Sequence, residues 1–212
     1  MAAEFIQRIV IDGPAEDVKR LERALVRTGE RRSRRKRWIE RVPFSFQAVW
    51  ALAQLPGTPP YDPYDLSEFR RRTTEPGYAE KRYSFLTRNM TAADVLTALS
   101  HVFPALTFRV GQMCEGEIEH YLIRRGKTRV HRVPQRRIDK AYRDYGRKHG
   151  LTLEEMEDQF DPLSDAEWDV FDATFNFWHS VAPRRRLPQR PQSWDAPTVR
   201  ALDDERVYAL EG

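Results

Sequence analysis

Lys81-Arg-Tyr-Ser-Phe-Leu-Thr-Arg88, Thr91-Ala-Ala-Asp-Val-Leu-Thr-Ala-Leu-Ser-His-Val-Phe103 and Leu106-Thr-Phe-Arg-Val110 decide the fold, because they read in turn as strand, helix and strand. Tyr83, Phe85 and Thr87 alternate with Ser84 and Leu86, the period of two that sends neighbours to opposite faces of a sheet. Thr91 stands where an N-cap is expected, with Asp94 three residues on where a carboxylate meets free amides. Val95, Leu96, Leu99, Val102 and Phe103 follow at helical spacing, and Pro104 ends the helix. Glu117-Ile-Glu-His-Tyr-Leu-Ile123 returns to strand, and a further strand near residues 128–133 pairs with it through the turn at Arg125-Gly126.

Upstream, Phe5-Ile-Gln-Arg-Ile-Val-Ile11 predicts a first strand closed by Asp12-Gly13-Pro14. Pro14 suits the first helical position, and Glu16 and Asp17 favour the first turn of a helix whose apolar stripe is Val18, Leu21, Leu25 and Val26. The run Arg31-Arg-Ser-Arg-Arg-Lys-Arg37 is expected as a loop or frayed helix end, and Val42-Pro-Phe-Ser-Phe-Gln-Ala-Val-Trp50 as containing a short second strand that runs into a helical turn. The proline-rich Leu55-Pro-Gly-Thr-Pro-Pro-Tyr-Asp-Pro63 opens a long loop over about residues 52–80. The resulting β-α-β-β-α-β order predicts an α+β fold: a ferredoxin-like antiparallel sheet with two helices on one face.

Beyond Pro134 the pattern turns helical. Ile138, Ala141, Tyr142 and Tyr145 share a face, and Gly150 supplies a C-terminal stop. Thr152 with Glu155 and Ser164 with Glu167 form two capping-box signatures. Trp168, Phe171, Phe175 and Trp178 form an aromatic stripe that docks the last helix on the sheet or on its neighbour. The expected organisation is therefore a ferredoxin-like domain over 1–133, a helical extension over 134–182, and a flexible basic, proline-rich tail over 183–212.

The 212 residues carry a net charge of +4, with 40% apolar and 11% aromatic residues, enough for a substantial core. One cysteine, Cys114, excludes an internal disulfide framework and a zinc site of several thiolates. No stretch approaches the roughly 18 apolar residues of a membrane span, and no signal peptide is read at the start, so a cytoplasmic protein without membrane contact is expected. The charge is unevenly spread. Residues 124–148 hold eleven Lys/Arg against two Asp, while residues 151–172 hold nine Asp/Glu and no Lys/Arg. Adjacent blocks of opposite sign predict neutralisation of one by the other, whereas the run at 31–37 has no acidic block beside it.

Ile11-Asp-Gly-Pro14, Tyr83-Ser-Phe-Leu-Thr87 and Leu99-Ser-His-Val-Phe-Pro-Ala-Leu-Thr-Phe108 resemble the YubB-type ferredoxin-like domain family of phages, plasmids and integrated elements. The resemblance spans roughly residues 5 to 125 and is strongest over 83–108. It implies the fold and a mobile-element context. Thr73-Thr-Glu-Pro-Gly77 replaces the family's Trp-Gly-Thr-Lys-Trp segment, and Asn89 and Thr91 stand where it has a tryptophan and prolines. Any site formed by those aromatics in the family is absent from this sequence.

No catalytic motif, cofactor motif or metal frame is present. The expected function is binding, as a non-catalytic accessory protein of a mobile element. DNA or RNA is the first expected partner, through Arg31, Arg32, Arg34, Arg35, Lys36, Arg37, Tyr83, Arg124, Arg125, Lys127 and Arg129. On the RNA-recognition-motif signature Lys81, Tyr83 and Phe85 match one basic and two aromatic positions, although alternation favours Phe85 facing the helices. The alternative is a protein-interaction module, a host-defence inhibitor or assembly factor, acting through Glu154, Glu155, Glu157, Asp158, Asp165 and Asp169. An enzyme would need Cys114, His120 and Glu117 or Glu119 in one cleft. His120 and His131 approach each other if their strands pair.

Overall fold

The computed structural model describes residues 4–32, 37–57, 63–71, 76–152, 155 and 165–181. β1 (Glu4–Pro14) leads into α1 (Ala15–Leu25) and then a two-stranded ribbon of β2 (Arg27–Arg32) and β3 (Arg37–Val42). α2 (Phe46–Leu52), β4 (Tyr64–Arg71), β5 (Tyr78–Arg88) and α3 (Ala92–Val102) follow. β6 (Thr107–Cys114), β7 (Glu117–Arg124), β8 (Lys127–Arg132), α4 (Gln135–His149) and α5 (Asp165–Val181) complete the chain.

Six strands form one antiparallel sheet in the order β4-β5-β1-β6-β7-β8. β1 is antiparallel to both β5 and β6, so β5 and β6 run parallel with β1 between them, and α3 bridges the gap. β4 likewise runs parallel to β1 with β5 between.

Alternation sorts the two faces. Ile9, Ile11, Tyr83, Phe85, Phe108, Val110 and Ile123 bury with Leu21 and Leu25 of α1, Val49 of α2 and Leu96 and Leu99 of α3. The opposite face presents Ile6, Leu86, Met113 and Ile118 to Ile138 of α4 and to Val170 and Phe171 of α5. Both faces are apolar and both are covered, since apolar surface left in water forfeits about 25 cal/mol for each Å².

Three local expectations change. The stretch expected as a short strand running into a helical turn is instead helical over Phe46–Leu52 as α2, because Ser45 caps it by accepting a hydrogen bond from the Ala48 amide at 3.4 Å. Phe44 and Phe46 then meet Phe85 at ring-centroid distances of 5.2 and 5.8 Å. Within the expected long loop, Tyr64–Arg71 is instead an edge strand whose register shifts between Tyr64 and Ser67. The basic run is not a loop at its flanks: Arg31 pairs with Trp38 and Arg32 with Arg37 in the β2-β3 ribbon.

Thr91 occupies the N-cap of α3, but its hydroxyl donates to Asp94 and makes no cap bond. The Ala92 amide is taken by Gln7 Oε1 of β1 at 2.7 Å. Gln7 is fully buried, and its Nε2 donates to Thr87 Oγ1 and to the Met90 carbonyl. A strand residue 85 positions away does the work of a local cap. The Thr152–Glu155 capping box does form: the Glu155 amide donates to Thr152 Oγ1 at 3.2 Å and the Thr152 amide to Glu155 Oε2 at 2.8 Å. α4 closes at Gly150, whose φ of 70° is the left-handed conformation that glycine adopts without strain.

Candidate nucleic-acid interface

β8 is an outer strand of the sheet, and all six of its residues are exposed. Its composition, Lys-Thr-Arg-Val-His-Arg, is what protects an open strand edge from pairing with another chain. Val133 and Pro134 connect it directly to α4. Ile138 and the partly buried Ala141, Tyr142 and Tyr145 turn inward, which leaves Arg136, Lys140, Arg143 and Arg147 outward.

Few acids answer these cations. Arg132 pairs with Glu119 at 2.9 Å, Arg147 with Asp144 at 3.5 Å and Lys148 with Asp169 at 3.4 Å. Lys127, Arg129, Arg136, Lys140 and Arg143 meet no carboxylate among the described residues. The expected neutralisation of the basic block by the acidic one reduces, among the described residues, to Lys148–Asp169. Asp172 instead reaches Arg8 of β1, and burial still raises its carboxyl above the usual range despite that guanidinium. Arg125 is exposed on the β7-β8 turn, and half-buried Arg124 ends β7 opposite Lys127.

Between α4 and α5 lies a groove of about 510 Å³. Ala141 and Tyr145 of α4 and Ala173, Thr174 and Phe177 of α5 line it, with Arg137 and Lys140 at its rim. Phe177 is 48% exposed, and the Arg137 guanidinium lies 4.4 Å from its ring centroid.

The rest of the expected nucleic-acid set divides. Tyr83 is 1% exposed and packed against Phe44 at 5.0 Å, so it is withdrawn as a stacking residue. The reason is alternation: Tyr83 and Phe85 share the face under α1–α3. Lys81, the basic position of the same motif, is also buried, paired with Glu22 at 3.0 Å and Glu68 at 2.9 Å. Nor is the other face open, because α5 lies on it. Arg31, Arg32 and Arg37 belong to the ribbon, while Arg34, Arg35 and Lys36 lie outside the described residues, as do Glu154, Glu157 and Asp158 of the acidic set. Asp165 begins α5, Glu155 is engaged in the capping box, and exposed Asp169 faces Lys148.

Beneath α5 the sheet carries buried charge that the sequence reading missed. Glu80 accepts from Arg82 at 2.7 Å and lies 3.6 Å from His179, an electrostatic contact longer than a hydrogen bond. Burial pushes the Glu80 carboxyl up, but His179 and Arg82 outweigh it and hold it down to about 2. Arg109 pairs with Asp12 on the same face. Charged residues at alternate strand positions are an ordinary edge signal, so only the distant helix reveals that these are enclosed.

The enzyme arrangement does not assemble. Cys114 lies opposite Glu117 in a 370 Å³ cleft lined also by Glu115 and Glu119, while His120 lies opposite Gly111, on the other face. Burial, then Glu115, Glu117 and Glu167, raise the Cys114 thiol, the reverse of an activated nucleophile. His120 and His131 are register partners with ring centroids 6.3 Å apart. Burial, then His131 and Arg137, hold the His120 imidazole down to about 3. Among the described residues no three metal-ligating side chains come together. Nor, among them, is any helix long and apolar enough to cross a membrane. The chain matches no family model, no curated protein and no solved structure.

Proposed function

We propose that this chain binds nucleic acid through the cationic edge formed by β8 and the outer side of α4, as a non-catalytic accessory protein of a mobile genetic element. The observation that carries the reading is the wholly exposed β8 running into α4, with Lys127, Arg129, Arg136, Lys140 and Arg143 meeting no carboxylate among the described residues. Cations that no internal acid satisfies are those that gain most from phosphates, by releasing the counterions condensed on nucleic acid. The mobile-element context comes from the resemblance to the YubB-type family. The interleaved β4-β5-β1-β6 strands support a ferredoxin-like core within the larger sheet, with β7 and β8 appended to carry the cationic edge outward.

The test is fluorescence polarisation with random-sequence DNA and RNA, single- and double-stranded, titrated with salt. Micromolar affinity falling steeply with salt is expected. Lys127→Glu with Arg129→Glu weakens binding to every sequence alike and lowers the logarithmic salt slope on duplex DNA by about 1.8, two contacts at about 0.9 each. Tight binding that ignores both substitutions sinks the assignment to this edge.

A further inference from the structure

The groove between α4 and α5 has a chemistry distinct from the edge beside it. An edge of cations recognises any phosphate backbone. The groove adds an aromatic ring at its rim: Phe177, 48% exposed in the penultimate turn of a helix whose Val170, Phe171 and Phe175 are all buried. Its neighbours do not explain that exposure. Arg137 lies over the ring at 4.4 Å, and Lys140 stands one helical turn from Arg137 on the same rim. Only Val130 on β8 shares this degree of exposure among the described large apolar residues.

Resting on the reading above, we infer that this groove takes single-stranded nucleic acid, with a base stacked at Phe177 and Arg137 and the flanking phosphates held by Lys140 and the β8 cations. Three observations agree. Arg137 covers one face of a ring that is still 48% exposed, and every base has a π-face that stacks on an aromatic ring regardless of sequence. A guanidinium plane is itself a stacking surface for an unpaired base. The groove adjoins the cationic edge through the chain, since Arg137 lies five residues beyond Arg132, the end of β8. A duplex hides its base faces and meets only the cations, so the groove distinguishes single strands from double strands where the edge does not.

The occupant is not an acidic peptide in this reading, because acids alone leave the ring without a stacking partner. Asp144 and Asp169 also stand on the rim and are engaged with Arg147 and Lys148. They disfavour a second anion at that end and direct the strand toward Arg137 and β8.

The experiment compares a random 12-nucleotide single strand with a 12-base-pair duplex, by polarisation across a salt series, for the wild type, Phe177→Ala and Phe177→Trp. Loss of one base stack weakens single-strand binding by about 5- to 150-fold. The expected result is such a loss for Phe177→Ala with an unchanged salt slope, unchanged duplex affinity and an unchanged melting temperature. Phe177→Trp is expected to restore or tighten single-strand binding. Equal affinity of wild type and Phe177→Ala for single strands overturns the inference while duplex binding leaves the edge assignment standing. So does a change in self-association on Phe177→Ala without a change in nucleic-acid binding, which assigns the groove to a second copy of the chain. Absence of binding to either probe overturns both readings.

Discussion

Gln7 shows how much one buried side chain settles. Its amide joins the Ala92 N–H, the Met90 carbonyl and Thr87 at the point where β5 gives way to α3. Gln7→Leu fits the space but strands the Ala92 N–H, while Thr87 Oγ1 keeps its bond to the Met90 carbonyl at 2.6 Å, so a loss of about 1–3 kcal/mol is expected in urea denaturation. A loss below about 1 kcal/mol would mean that Thr91 takes over the cap. His120 gives a pH prediction whose sign follows from its neutrality. Its imidazole is held at about 3 in the fold, against 6.5 when unfolded, so between those values only the unfolded chain takes up the proton. This contribution is fully favourable above pH 6.5 and declines as pH falls toward 3. Wild-type stability is expected to drop by about 2 kcal/mol more than that of His120→Phe from pH 7.5 to pH 5, read from urea midpoints. Parallel pH profiles would refute it. Glu80 acts lower: its stabilisation is present above pH 4.5 and disappears as pH falls toward 2.

The docking of α5 depends on a glycine in a strand. A methyl group at Gly111 would collide with the Phe175 ring and come within 3.0 Å of Phe171. The sheet therefore thins where the helix presents its fully buried Phe171 and Phe175, and Arg8 and Asp172 pair across the same seam. Gly111→Ala is expected to cost about 1–3 kcal/mol through overpacking. Adding Phe175→Leu to it should recover part of that loss, with a coupling of about 1 kcal/mol or more in a double-mutant cycle. Strict additivity would show that the helix adjusts its seat instead. The same scale explains which elements could be read in advance. β5, α3, β6 and β7 announce themselves because each carries a full period of apolar residues. α2 is only partly legible because Phe44 and Phe46 alternate around Ser45, so the strand signal and the cap coincide. β4 hides because Asp65, Ser67, Glu68, Arg70 and Arg71 leave an edge strand with little apolar content.

Across the molecule, charge is sorted by what lies above the sheet. Arg8, Arg82 and Arg109 are buried or half-buried with Asp172, Glu80 and Asp12, while the cations of β8 and α4 stay outside with few acids. Salt should therefore act mainly on binding and little on folding. At 0.5 M salt the melting temperature is expected to move by a few degrees at most, because enclosed pairs are weakly screened, while nucleic-acid affinity falls by orders of magnitude. A large salt-induced loss of melting temperature would contradict the enclosure of those pairs. Charge reversal at Arg34 and Arg35 in the same polarisation assay tells whether the basic run over 31–37 adds phosphate contacts to those of β8 and α4. Of the proposed interface, Lys127 and Arg129 were legible as members of a basic block, but Phe177 read only as part of an apolar helix. The strand-helix-strand periods, the turns at Gly126 and Gly150 and the capping box at Thr152 are legible in the chain alone, because these depend on neighbours within a few residues. That α5 closes the second face, that Tyr83 is buried and that Gln7 caps α3 emerge from the folded chain instead. Those outcomes rest on contacts such as Tyr83–Phe44, Gln7–Ala92 and Arg8–Asp172, between residues some 40 to 160 positions apart, which no local period encodes.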